Sequence, residues 1–192
     1  MAKTLIKTIT VPANESAPVC EIDFIDGASG VVFDDTYSVY EFHFVNMHPE
    51  TNQQDFAFQV NSTNGAGFND SPITSTFFDA FHNEGDSDTD LTYVVTRDLA
   101  NAVDSFQPLF DKVTNADDEA SVSGVLTLYD PSSTTYVKHF TSRAQGMHHS
   151  TYSADCFAAG YINDYQYAID EIRFKFISGD INAGVIKMFG VS

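Results

Sequence analysis

From Ala168 to Phe176 the side chains alternate without a break: Ile172, Phe174 and Phe176 fall on one side, Glu171, Arg173 and Lys175 on the other. A two-residue period of this kind fits a strand with one dry and one wet face and does not fit a helix. Ser178-Gly179-Asp180 follows with turn chemistry, and after Gly184 a second apolar run, VIKMF, extends to Phe189. The stretch therefore reads as two strands joined by a short Gly/Asn/Asp connection, most simply an antiparallel pair. Two strands are not stable alone in water, so the other residues must supply the sheet they join.

The same period recurs upstream. Thr4–Val11 alternates before Pro12, which terminates the strand or places it at an edge; Val19–Ile25 alternates again. Tyr37–Asn46 sets Tyr40, Phe42 and Phe44 against Glu41 and His43, and Phe56, Phe58 and Val60 repeat the pattern. Leu91–Thr96, Leu109–Val113, Ser121–Tyr129 and Thr135–Thr141 complete the strands. The 17 Phe and 9 Tyr, with no Trp, suit pleated, half-buried surfaces. We therefore expect an all-β protein: an antiparallel β-sandwich of about eight to ten strands with long loops. It forms one domain over residues 1–192, with residues 1–12 as an N-terminal edge strand or arm. Between the strands, Asn61–Asp90 reads as a long excursion carrying an aromatic island that suits a short helix over Thr76–His82. Arg143–Tyr161 reads as an irregular, aromatic-rich exposed loop.

Nine Lys and Arg against 27 Asp and Glu leave a formal charge of -18. That balance argues against direct binding of nucleic acid or an anionic membrane surface, both of which need basic patches. The opening MAKTLIKTITVP has no long apolar core, so a secretory leader is not expected, and no run approaches the roughly 20 apolar residues of a spanning helix. Cys20 and Cys156 are the only cysteines. They exclude a disulfide framework; two free, buried thiols are the favoured reading and a single disulfide between them the rival.

Candidate chemistry is sparse. Asp86, Asp88 and Asp90 alternate as calcium ligands would, but an EF-hand register from Asp86 puts Leu91 where Gly belongs and Arg97 where the bidentate Glu belongs. A solvated acidic loop is the favoured reading and a non-EF calcium site the rival; no other cofactor is expected. Asp117-Asp118-Glu119 is weaker still. His148 and His149 with His139 and Asp155 contain ligand types for a transition metal, but adjacent residues diverge on a strand. No Gly-x-Ser-x-Gly elbow or phosphate-binding loop occurs, and Cys156 reads as a buried thiol, so no enzymatic activity is expected. Phe77, Phe78, Phe81, Tyr152, Phe157, Tyr161 and Tyr165 remain as interface or ligand candidates, or as satellite core beneath loops. Phe42, Phe44, Phe174 and Phe176 are the expected core.

Three segments together, YSVYEFHFVN (37–46), SGVLTLYDP (123–131) and IDEIRFKFISG (169–179) followed by GVIKMFGV (184–191), resemble accessory virion proteins of tailed bacteriophages, especially marine ones. That pattern has an aromatic-x-Phe strand ending in Asn, a Gly-x-Ile/Leu strand running into an Asn/Asp-Pro turn, and a terminal Gly-x-x-x-Leu-Tyr-Gly-Ile. Here Met188 stands in place of Leu and Phe189 in place of Tyr. The resemblance implies a jelly-roll-like, non-enzymatic virion structural protein, made in the host cytoplasm, that decorates the capsid or forms part of a tail appendage. Its implied partners are other copies of itself, with a trimer expected from jelly-roll habit, and other capsid or tail proteins. A carbohydrate-binding or host-receptor-binding module is the alternative expectation.

Overall fold

The computed structural model describes residues 2–13, 19–63, 67–68, 71–116 and 120–192. Among these residues the chain forms twelve strands and no helix: β1 (Lys3–Val11), β2 (Ile22–Ile25), β3 (Val39–Pro49), β4 (Gln54–Ser62), β5 (Ile73–Asn83), β6 (Thr89–Tyr93), β7 (Gln107–Val113), β8 (Val122–Tyr129), β9 (Lys138–His148), β10 (Tyr152–Ile162), β11 (Ile169–Phe176) and β12 (Ile181–Val191). All pairings are antiparallel. One sheet runs β1-β12-β3-β8-β9-β10-β5-β6, the other β2-β11-β4-β7, and the single pair Val113 with His148 joins them.

Eight of the strands make nested pairs, β1 with β12, β2 with β11, β3 with β8 and β4 with β7. That is the wrap of an eight-stranded jelly roll, β1-β12-β3-β8 over β2-β11-β4-β7. The remaining four strands are two insertions, β5–β6 between β4 and β7 and β9–β10 between β8 and β11, and both extend the larger sheet beyond β8. The all-β sandwich expected from the alternation, and the jelly-roll-like form that the resemblance implies, are therefore observed, with twelve strands among the described residues rather than eight to ten.

Between the sheets lies one aromatic core. Phe42, Phe44, Phe174 and Phe176 are each 0 % exposed. Phe174 sits at its centre, its ring 5.4 Å from Phe42, 6.2 Å from Phe24, 6.1 Å from Phe56 and 6.5 Å from Phe58. Across the two sheets the rings meet edge-on or tilted, as in Phe24 with Phe42 at 69° and Phe44 with Phe56 at 54°, whereas Phe56 stacks on Phe174 within its own sheet at 15°.

Five expectations need correction. Thr76–His82 is strand within β5, not helix. Arg143–Tyr161 is not an irregular loop but most of the β9–β10 hairpin, paired without a break from Tyr152 with His148 to Ile162 with Lys138. The strand placed at Thr135–Thr141 begins at Lys138, and Val19–Ile25 is regular only from Ile22. Cys156 is buried but Cys20 is exposed, and both thiols are free.

The hairpin escaped sequence reading because its polarity is inverted. On β10 the inward residues are Ala154, Cys156, Ala158 and Gly160, while Phe157 and Tyr161 point outward. Small residues are required inside because bulky groups come from elsewhere: a Cβ on Gly160 would meet Phe140 Cζ at 2.9 Å, and one on Gly146 would meet Phe110 Cζ at 3.0 Å.

Candidate functional site

The registers align the outward side chains of the larger sheet into rows. One row runs from Tyr93 on β6 through Phe78 and Phe157 to Arg143 on β9. It continues through Val125 and His43 to Lys187 on β12. Along it Phe78 and Phe157 stack at 4.8 Å and 6°, and the Arg143 guanidinium lies 5.1 Å from the Phe157 centroid while it clamps Asp155 at 2.6 Å. A parallel row carries Thr76, Ala159, Thr141, Thr127, Glu41, Phe189 and Leu5. Exposed apolar groups punctuate the face, with Leu91 69 %, Leu5 54 %, Tyr93 49 % and Phe78 40 % exposed.

This face is nearly free of the chain's negative charge. Of 27 acidic residues, among the described residues only Glu41 and Asp155 point outward from the strands of the larger sheet. Both are neutralised, Glu41 by Lys3 and His43 at 2.6 Å each and Asp155 by Arg143. Glu41 titrates low: partial burial opposes this, but the Lys3 and His43 bonds outweigh it. With Lys3, Arg143 and Lys187 as its cations, the face carries +3 − 2 = +1 on a protein of −18.

The two edges of the sheet are closed to strand addition by different means. β6 pairs only with β5, and beside it Asp90 accepts its own strand's Leu91 N–H at 2.8 Å and the Thr92 hydroxyl at 2.8 Å. β1 carries Lys3 and Lys7 and a register shift between Leu5 and Lys7. Charges and bulges on edge strands discourage edge-to-edge pairing.

The other sequence candidates distribute as follows. Asp86, Asp88 and Asp90 do not converge: Asp86 meets His82 at 3.1 Å, Asp88 accepts from the Tyr152 hydroxyl at 3.1 Å, and Asp90 caps β6. Among the described residues no three or more His, Cys, Asp or Glu side chains gather as metal ligands. His139 and Asp155 lie on the outer face and His148 on the inner one, so that set is split. Residues 117–119 lie outside the described residues. Phe77 is fully buried core rather than an interface group. Phe81 and Tyr152 stack at 4.9 Å, and His148 stacks on Tyr152 at 5.6 Å, so both faces of the Tyr152 ring are occupied. Tyr161 lies on the outer face beside His139, and Tyr165 is exposed in the β10–β11 connection.

One polar cluster went unpredicted. Where β7 meets β9, a bulge sets Asp111 and Lys112 opposite Asp55, and Arg97 reaches in from the β6–β7 connection. Arg97 contacts Asp55 at 3.0 Å and Asp111 at 2.6 Å, with His148 3.7 Å from Asp111. Burial pushes Asp55 up to about 6 despite Arg97. Asp111 is held low: burial opposes this, but His148 and Arg97 outweigh it. Asp79 faces the same cleft of about 200 Å³, its carboxyl raised by burial and by Asp111. The cluster joins three distant segments, so no local spacing announced it. A second hollow of about 360 Å³ opens where β5, β9 and β10 end, lined by His82, Asn83, Glu84, Gln145, Tyr152 and Ser153 among others.

Fold and site together define an all-β jelly-roll protein with an extended, charge-balanced sheet face. Comparison of the chain with protein-family models, curated proteins and solved structures finds no match.

Proposed function

We propose that the protein is a non-enzymatic structural subunit of a tailed-phage virion, decorating the capsid or forming part of a tail appendage through contacts between copies and with neighbouring virion proteins. The supporting observation is the charge layout. A chain of −18 keeps one broad sheet face at about neutrality and studs it with exposed Leu91, Tyr93 and Phe78, a pattern that suits a docking surface. The virion setting comes from the resemblance of the three strand segments. Mass spectrometry of purified particles tests it: peptides of the protein are expected in gradient-purified virions at stoichiometric abundance. Their absence from particles, with the protein present in infected-cell lysate, overturns the reading.

The second reading is recognition of a host glycan. The hollow lined by Asn83, Glu84, Gln145 and Ser153 favours it, because amide, hydroxyl and carboxylate groups together suit a hydroxyl-rich ligand. Glycan-array binding lost in Gln145→Ala supports it, and an array without signal removes it.

A further inference from the structure

We infer that the outer face of the larger sheet is a two-fold interface, and that its occupant is the same face of a second copy. This rests on the assembly reading above and makes it specific. Size is the first argument. Eight strands spaced about 4.8 Å apart, each offering about four outward residues, span on the order of 800 Å². A stable pair needs roughly that much from each partner.

Charge is the second. Two copies carrying −18 each repel wherever their acidic connections meet, and the +1 sheet face is where they can approach without that cost. Its ion pairs, Lys3 with Glu41 and Arg143 with Asp155, are closed within one copy, so among the described residues only Lys187, exposed on β12 next to the β1 edge, brings an unpaired charge to the meeting faces. Symmetry is the third argument. A ring of three needs two different complementary patches on each copy, whereas a single self-complementary patch closes as a pair. Both edges of the sheet are protected by Asp90, by lysines and by a bulge, which leaves face-to-face packing as the mode open to it.

Light scattering coupled to size exclusion, at roughly 1 to 100 µM protein, is the test. A dimer is expected, and it should tighten as salt is raised from about 0.05 to 0.5 M because screening relieves the repulsion between acidic flanks. Val125→Glu, at the centre of the face, is expected to weaken the dimer at least about 100-fold, because the new carboxylate lies opposite Arg143 and competes for it with Asp155, so that one of the two acids is left desolvated and unpaired when the faces meet, whereas Tyr165→Glu, off the face, leaves it intact. Should Val125→Glu fail to fold, Thr141→Cys in a Cys20→Ser background gives an independent readout: oxidation is expected to trap a covalent dimer of native melting temperature. A monomer at 100 µM, a trimer, or a dimer broken by Tyr165→Glu and untouched by Val125→Glu overturns the proposal. A monomer that is still found in purified particles removes the two-fold interface alone, and a dimer absent from particles removes the virion setting alone.

Discussion

Truncating Phe174 to alanine probes the core most directly. The ring is 0 % exposed and touches four other phenylalanine rings drawn from β2, β3 and β4, so both sheets pack on it. Phe→Ala at a fully buried site costs about 3 to 5 kcal/mol through lost transfer energy and the cavity left behind. Each of the four ring pairs adds to burial, which places Phe174 toward the upper end, about 4 to 5 kcal/mol. With an unfolding entropy of about 2.1 cal/mol/K per residue, a 192-residue domain loses about 10 °C of melting temperature for such a change. Phe157→Ala supplies the control. Its ring is only partly buried and lies on the outer face between Phe78 and Arg143, so its loss is expected near 1 kcal/mol. Urea titration of both variants, with unchanged m-values, is the assay. A loss below about 1 kcal/mol for Phe174→Ala, or equal losses for the two, refutes the assignment of Phe174 to the centre of the core.

Three further outcomes follow from particular groups. Asp55 keeps its proton up to about pH 6 in the folded chain, against 3.8 as its ordinary value. Between those values the folded state binds more protons than the unfolded one, so this group lowers stability as pH rises from 4 to 6. Thermal melts should show Asp55→Asn losing less stability than wild type over that interval, and equal slopes would refute the assignment. Lys138 is fully buried and its ammonium donates to the Asp164 and Tyr167 carbonyls, with burial pulling its pKa down. Lys138→Met takes the ammonium from both carbonyls, leaving the Asp164 carbonyl only the Tyr167 N–H at 3.4 Å, and is expected to cost about 2 to 4 kcal/mol and to speed amide exchange over 163–168; unchanged exchange would count against the clip. Finally, a thiol reagent should titrate one cysteine in the native protein and two in denaturant. Cys20 is exposed, its thiol pushed up by its bond to Asp180 and by that carboxylate's charge, whereas Cys156 is sealed in the core and burial pushes its thiol up. Two fast thiols in the native state would contradict the burial of Cys156.

Alternation alone was enough to find the strands whose large apolar residues face inward. Phe42 and Phe44 on β3, Phe56 and Phe58 on β4, and Ile172, Phe174 and Phe176 on β11 bury one face and wet the other, and a two-residue period records that arrangement directly. The all-β class and its sandwich-like succession of strands were legible for this reason, whereas the jelly-roll wrap depends on which distant strands pair. Tertiary structure decided the rest, because the decisive contacts join residues far apart in sequence. Small inward residues on β10 make sense only beneath Phe77, Phe110 and Phe140 supplied by other strands, and β5 carries Phe77 inward beside Phe78 outward, which erases its period. The Asp55–Arg97–Asp111–His148 cluster exists only where β7 crosses to β9. The charge-balanced outer face is likewise a property of register: −18 is a sum over the chain, and cross-strand pairing determines that almost none of it falls on that one surface.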